Sequence, residues 1–224
     1  MMSQRRTPAL DAAARPAEPA RAANAIPEDR ILDCAHDLLL AVGMRGLNMA
    51  EIARRAGISR ATLYRRWPNV TALTAALVTR EFAAVVEANM RDDTGTGRER
   101  LVRLVVRVAG ALRDHPLLRK IVDVDPEFLL PYLLHRRGRS TNHQLALLED
   151  SLRAGIADGS VRPGEVAPRA RAVLLTAWSF VLTGPVLASP ATGPTPPGPA
   201  PTGEVSIEAL DAELAALLDR YLAP

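Results

Sequence analysis

The stretch of sequence that decides the fold is residues 49–68, MAEIARRAGISRATLYRRWP. Its first half predicts a short helix, because Ile52 and Ala56 lie four positions apart on one helical face. Asn48 is placed to cap this helix, and Glu51, three residues further on, completes a capping-box arrangement. The start of this helix is therefore specified by its own local sequence.

The second half of the stretch predicts a tight turn followed by another helix. Gly57 gives the backbone freedom that the turn needs, Ser59 is an N-cap residue, and Pro68 ends the helix. Leu63 and Trp67 are four residues apart and face inward. Two short helices joined in this way form a helix-turn-helix, which places its second helix in the major groove of DNA.

The outer face of that second helix carries the groups that DNA recognition uses. Arg60 can form a bidentate pair with guanine, while the small residues Ala61 and Thr62 allow close approach to the bases and contact with a thymine methyl group. The hydroxyl and guanidinium groups that suit phosphates are those of Ser59, Tyr64, Arg65 and Arg66. The alternative interpretation is a solvated basic helix on an ordinary helical protein.

Basic residues are concentrated around this motif. The 224-residue chain has 28 Lys and Arg against 25 Asp and Glu, and Lys120 is its only lysine. Residues 45–80 hold seven arginines and one acid, Glu51, whereas residues 81–224 hold 16 basic residues against 18 acids. A basic segment joined to a mildly acidic body is the pattern expected when one part of a protein binds a polyanion. The preference for Arg over Lys is itself most simply compositional.

The rest of the chain shows helical periodicity, with apolar residues recurring every three or four positions. Outside the motif, the predicted helices are 28–42, 69–90, 98–114, 116–122, 140–158, 169–188 and 204–222. Asp125-Pro126-Glu127 predicts one more helix start, with an acid as N-cap and Pro at the first helical position. Because no strand alternation or internal repeat is present, we expect an all-α fold of about nine or ten helices.

Composition divides the chain into three parts. Residues 1–27 hold four prolines among alanines and arginines, and we expect them to form a disordered basic arm. Residues 28–73 are the predicted DNA-binding domain, and residues 74–224 are a larger helical domain. Within the latter, residues 189–203 hold six prolines and predict a mobile loop.

The most apolar stretch, residues 169–188, is too short to span a membrane. The apolar run before Pro190 is about 17 residues long, against the ~20 that a spanning helix needs, and Gly184-Pro185 interrupts it. A helix that is apolar all round is instead typical of a core or a subunit interface. We therefore predict no membrane partner.

Several other classes of function have no support in the sequence. Cys34 is the only cysteine, which excludes an internal disulfide framework and a multi-cysteine metal site. The histidines His36, His115, His135 and His143 lack the close spacing of zinc or catalytic pairs. Paired carboxylates, a phosphate-binding glycine loop and a nucleophile with its base are not recognisable. We expect no enzyme activity, no metal and no cofactor.

The motif and its flanks, residues 28–80, resemble the DNA-binding domain of TetR-family transcriptional regulators. The resemblance rests on residues 49–68 and extends to the N-terminal position of the motif, the chain length and the all-helical body. It implies a cytoplasmic, bacterial homodimer that binds a double-stranded DNA operator. It also implies a repressor that a small-molecule effector releases from DNA.

The resemblance also implies roles for individual residues. Asn48 would cap the second helix near a phosphate, where the family usually has Thr. The residues implied to contact bases or phosphates are Ser59, Arg60, Ala61, Thr62, Tyr64, Arg65 and Arg66. The family commonly has Lys at the start of its fourth helix, a phosphate contact, but this chain has Val70. Arg45 or Arg66 is the candidate replacement for that contact.

The body of the chain would supply the dimer interface and the effector pocket. We expect dimerisation through the helices at 169–188 and 204–222, and a largely apolar effector bound among the helices between 70 and 188. The candidate pocket residues, each of which also fits a plain core position, are Phe82, Met90, Phe128, Tyr132, His143, Trp178 and Phe180. The alternative function is a ligand-independent or architectural DNA-binding protein with the same fold.

Overall fold

The computed structural model describes residues 27–91, 94–129, 138–188 and 205–224. Within these ranges the chain forms α-helices and one 3-10 turn and no strand, which confirms the all-α fold. The helices are α1 (Glu28–Val42), α2 (Met49–Ala56), α3 (Arg60–Arg66), α4 (Val70–Asn89), α5 (Gly97–Arg113), α6 (Pro116–Val124), α7 (Arg139–Ala157), α8 (Val166–Leu182), α9 (Gly184–Ala188) and α10 (Ile207–Leu222). The 3-10 turn, Pro126–Phe128, follows α6.

The N-terminal core lies among α1, α2, α3 and the first half of α4. Ile31, Ile52 and Leu63 are fully buried in it, one from each of the three short helices. Leu117 and Ile121 of α6 are buried in the same core. The N-terminal core and the short helices around it form a head, which packs directly against α6 of the body.

The C-terminal core is formed by α4, α5, α7, α8 and α10. Leu152 and Leu214 are fully buried in it. Two ion pairs join α5 to α10, since Arg113 bonds Asp211 at 2.5 Å and Arg98 lies 3.1 Å from Asp219. These contacts fix the last helix to the centre of the body.

Helix α4 belongs to both cores. Leu73 and Leu77, near its start, are buried in the N-terminal core, whereas Phe82 and Val85 are buried in the C-terminal core. The predicted domain boundary after residue 73 thus falls inside one continuous helix. Helix α4 begins at Val70, four positions after α3 ends at Arg66.

The helix start predicted at Asp125-Pro126-Glu127 produces only a 3-10 turn in the described residues. Asp125 makes no cap bond to that turn. Its carboxylate is instead 2% exposed, and its Oδ2 accepts a hydrogen bond at 2.7 Å from the backbone N–H of Met44. The Asp125 side chain therefore bonds a backbone group 81 positions away in sequence and does not cap a helix.

The predicted helix at 169–188 is two helices. Helix α8 ends with Thr183 as its C-cap, and the short α9 begins at Gly184. The break coincides with Gly184-Pro185, because proline lacks the N–H that would continue the helical ladder. Among the described helices, none alone is long and apolar enough to cross a membrane, while α3 and α4 pass that test only as a pair bent by 65°.

Three sequence predictions concern residues outside the described ranges. These are the arm at residues 1–26, the pocket residue Tyr132 and the loop at 189–203. They remain predictions.

Candidate functional site

The turn between α2 and α3 has the geometry that its sequence predicts. Asn48 Oδ1 accepts a hydrogen bond from the Glu51 N–H at 2.8 Å and so caps α2. Gly57 ends α2 with φ of 70°, a left-handed conformation that glycine adopts without steric cost. The Gly57 N–H donates to the Arg54 carbonyl and the Ile58 N–H to the Ala53 carbonyl, which closes the end of α2.

The predicted capping box is only half formed. The Glu51 carboxylate does not return to the Asn48 N–H; it bonds Arg54 at 2.7 Å and Arg55 at 2.8 Å. These hydrogen bonds lower the pKa of Glu51 to about 2. The single acid of the basic segment is therefore ionised and partly neutralises two of its arginines.

Helix α3 is capped at its start and anchored on its inner face. Ser59 Oγ accepts a hydrogen bond from the Thr62 N–H at 3.1 Å, and the two hydroxyl oxygens lie 2.9 Å apart. Leu63 is fully buried and Trp67 is 7% exposed, as their spacing predicts. The opposite face of the helix therefore has a fixed orientation toward solvent.

The outward face of α3 is basic and open. Arg60, Ala61 and Arg65 are exposed, and Tyr64 is 50% exposed. Arg66 is only half exposed, and its Nη1 is buried without a hydrogen-bond partner among the described residues. A surface 7 residues long thus presents guanidinium, methyl and phenol groups together.

Arg45, suggested from sequence for a phosphate contact, forms ion pairs at the surface while its side chain stays 75% exposed. Its Nη2 lies 2.6 Å from Glu127 Oε1, and its Nε lies 3.3 Å from Asp125 Oδ1. This pairing raises the pKa of Arg45 and lowers that of Glu127. In the structure Arg45 therefore joins the loop after α1 to the end of α6. Local sequence could not predict this role, because the partners of Arg45 lie about 80 positions away.

Val70, which replaces the lysine usual in the family, is the first residue of α4 and packs against the N-terminal core. The start of α4 is capped by Asn69, whose Oδ1 accepts from the Ala72 N–H at 2.8 Å. At the position where the resemblance implies a lysine, the start of α4 therefore has an apolar side chain, and the residue before it caps the helix.

A second feature of the body is an apolar cavity of about 100 Å³. It lies among α4, α5, α7 and α8, and it is lined by three of the candidate pocket residues, Phe82, Met90 and Trp178. The ring centroids of Phe82 and Trp178 lie 5.6 Å apart in its wall. The cavity is thus bordered by the half of α4 that is remote from the head.

Three other predicted pocket residues lie away from the cavity. His143 is exposed, because it precedes the cavity-lining Gln144 by one residue and so points about 100° away on α7. Phe180 packs against the C-terminal core two positions beyond Trp178, and Phe128 packs against the N-terminal core. These three residues do not line this cavity, because aromatic character alone does not specify a helical face.

Sequence analysis missed two polar residues that line the cavity, Gln144 and Ser151. They are seven positions apart on α7, which puts them on one face with Leu147 and Leu148 between them. A polar pair at that spacing on an apolar face was the signal available in the sequence.

The exposed apolar side chains of the last helices form a third feature. Leu175 on α8 is 72% exposed, and Val186 and Leu187 on α9 and Leu217 and Tyr221 on α10 are also exposed. Large apolar groups left in solvent on adjacent helices are typical of a protein interface.

A capped helix, a left-handed glycine turn and an exposed basic helix define a helix-turn-helix DNA-binding protein. The family described as bacterial regulatory proteins, tetR family, matches residues 31–77. An uncharacterized HTH-type transcriptional regulator of Mycobacterium bovis is 36% identical over 160 residues, covering 71% of this chain and 82% of that protein. The chain belongs to the TetR family, whose members are transcriptional regulators and not enzymes.

Solved structures share this fold. The TetR-family repressor QsdR of R. erythropolis has a TM-score of 0.62 at 20% identity, covering 88% of this chain and 96% of its own. FadR from Bacillus subtilis, solved in complex with stearoyl-CoA, has a TM-score of 0.58 at 18% identity, covering 88% of this chain and 100% of its own. TetR-family regulators bind DNA, dimerise and bind small-molecule ligands.

Proposed function

We propose that this protein is a sequence-specific repressor that binds its operator as a homodimer and leaves DNA when a small molecule enters the cavity of its body. The observation that carries the proposal is the exposed face of α3. Arg60 lies in the first turn of that helix, where residues of a recognition helix meet base edges. Arg65 lies in its last turn, where a guanidinium suits the phosphate backbone.

The apolar residues exposed on α8, α9 and α10 support dimerisation through these helices. Burying a side chain such as Leu175 contributes about 1.5–3 kcal/mol, so several such residues on two copies supply a substantial part of an interface. A dimer would bring two α3 helices to one operator, with half-sites about one helical turn apart.

The cavity and α4 support control by an effector. Phe82 and Met90 line the cavity, and Leu73 on the same helix is buried in the head. A ligand that spreads the cavity walls would move α4 and hence α3. This arrangement favours an effector-responsive regulator over the alternative, a ligand-independent or architectural DNA-binding protein.

Two arginine substitutions on α3 test the DNA-binding part of the proposal. Arg60→Ala should reduce the preference for a selected operator over random DNA by about 1–3 kcal/mol, because it removes a base contact. Arg65→Ala should weaken binding to both DNAs alike, because it removes a phosphate contact. Fluorescence anisotropy at fixed salt concentration measures both effects. Equal effects of the two substitutions on both DNAs would contradict the roles assigned to α3.

A further inference from the structure

The cavity lining contains no ionisable side chain among the described residues. Apolar groups of α4, α5, α7 and α8 make almost the whole wall, and Gln144 and Ser151 are its polar members. A charge buried without a partner costs far more than a neutral polar group buried with one hydrogen bond. The wall therefore selects against anionic and cationic occupants.

The amide of Gln144 has a fixed orientation. Its Oε1 accepts a hydrogen bond from Trp178 Nε1–H at 3.3 Å, which places the amide nitrogen on the other side. That nitrogen donates one hydrogen to Ser140 Oγ at 3.2 Å. A primary amide has two N–H donors, and the second has no hydrogen-bond partner among the described residues. Because Gln144 lines the cavity, this donor is the candidate to bind a ligand oxygen.

Ser151 is less suited to bind a ligand group. Its hydroxyl donates to the backbone carbonyl of Leu147 at 2.9 Å, which leaves it only as an acceptor. Seven positions on a helix correspond to about 10 Å, so Ser151 and Gln144 lie at different ends of the cavity wall. Gln144 is therefore the donor available to orient an acceptor group.

The other end of the cavity lies near Met90. The end of α7 meets the start of α5, where the Gly97 N–H donates to Asp158 Oδ2 at 2.6 Å, and α4 leads into α5 at this same end. Met90 is 57% exposed and lines the cavity. A methionine side chain rearranges easily and suits the entry point of an apolar molecule.

We propose that the effector is an uncharged, slender hydrocarbon molecule with one oxygen that accepts a hydrogen bond from Gln144 Nε2. This inference rests on the proposed function. The hydrocarbon body lies along the face of α7 that carries Leu147 and Leu148, toward Met90. An apolar cavity of roughly 150 Å³ holds benzene, so one of about 100 Å³ must widen to admit such a molecule.

Binding of four probes of matched chain length to the full chain tests the proposal by isothermal titration calorimetry. The probes are 1-decanol, decane, decanoate and decyltrimethylammonium. We expect 1-decanol to bind at least tenfold more tightly than either charged probe, and more tightly than decane. Charged probes that bind as tightly as 1-decanol would overturn the proposal, and so would a failure of 1-decanol to bind.

Two variants locate the bound probe. Gln144→Leu should remove the preference for 1-decanol over decane by about tenfold, which corresponds to the loss of one hydrogen bond. Leu147→Trp should fill the cavity and abolish binding of both probes. Thermal unfolding checks that both variants fold. An unchanged alcohol preference in Gln144→Leu, or unchanged binding in Leu147→Trp, would overturn the assignment.

Operator binding by the same proteins without probe separates this inference from the proposed function. We expect the unmodified chain without probe to bind its operator specifically. Absence of the probe preferences in the unmodified chain, with its operator binding intact, contradicts only the ligand class. Loss of specific operator binding in the unmodified chain contradicts the proposed function itself.

Discussion

Asp125 joins the head of the molecule to its body through a single buried carboxylate. It accepts the Met44 N–H at 2.7 Å, and Arg45 Nε lies 3.3 Å from its other oxygen. Gly43 precedes these residues with φ of 73°, and a Cβ there would lie 2.9 Å from Asp125 Oδ2. Local sequence indicated a helix start at Asp125. The carboxylate instead accepts the Met44 N–H, because a buried backbone N–H without a partner is costly.

Asp125→Ala should lower the free energy of unfolding by about 1–3 kcal/mol, because the Met44 N–H loses its acceptor in a buried position. Asp123→Ala is the matched control, since Asp123 is exposed two residues earlier on α6. Urea denaturation of both variants measures the difference. Equal stability of the two variants would contradict the role given to Asp125.

His115, the N-cap residue of α6, should make stability depend on pH. Burial lowers its pKa, and the nearby His36 adds to this, while Glu81, 3.7 Å away, opposes it. The unfolded chain, in which a histidine titrates near 6.5, then binds the proton more readily than the folded chain. The contribution of His115 is present above that pH and is lost as the pH falls.

His115→Gln should therefore reduce the stability lost between pH 7.5 and 5.5, pH values that bracket the histidine pKa of about 6.5. Thermal unfolding at both pH values measures this loss. His143→Gln is the control, because His143 is exposed. If both variants lose as much stability as the unmodified chain over this pH range, His115 is not the source of the loss.

At the scale of the elements, sequence predicted what is encoded locally. The C-terminal end of α1 and the N-caps of α2 and α3 follow from residues within a few positions, namely Gly43, Asn48 and Ser59. The residues that line the cavity were predicted less well. Tertiary packing decides which helical face borders the cavity, and local sequence does not show that Phe180 and His143 lie off that face. The pairing of Arg45 with Glu127 depended on a contact across 82 positions, which no local pattern contains.

The turn between α2 and α3 should depend on Gly57 for its backbone. A Cβ there would meet nothing within 4 Å, so the cost of Gly57→Ala is conformational, about 1–2 kcal/mol. Gly110→Ala is the control: Gly110 lies inside α5, and its Cβ would meet only Arg113 Nη2 at 3.6 Å. That change should stabilise by roughly 0.5–1 kcal/mol. Chemical denaturation should show a lower free energy of unfolding for Gly57→Ala and a higher one for Gly110→Ala. Changes of the same sign would contradict this account of the turn.

At the scale of the whole molecule, two cores share α4 and meet again at α6. Leu117 and Ile121 of α6 are buried in the head, while Leu73 and Val85 place α4 in both cores. The cavity lies beside the second half of α4, and α3 lies before its first residue. The same elements therefore border the proposed effector cavity and support the proposed DNA-binding helix.

The proposed dimer makes a prediction at this scale. Leu175→Glu should shift the protein toward monomer, because it places a charge in the proposed apolar interface. Val122→Glu is the control, because Val122 is an exposed apolar residue on α6, outside that interface. Sedimentation velocity measures the oligomeric state. A dimer unaffected by Leu175→Glu, or disrupted equally by both changes, would contradict the assigned interface.

The central claim, sequence-specific DNA binding by α3, is tested most directly by selecting genomic DNA fragments with the full-length protein and sequencing them. The account predicts that the enriched fragments share one two-fold symmetric sequence, with half-sites about one helical turn apart. It also predicts that Arg60→Ala broadens that sequence. If neither the unmodified protein nor Arg60→Ala enriches fragments with a common sequence, the account is contradicted and an architectural DNA-binding protein is supported.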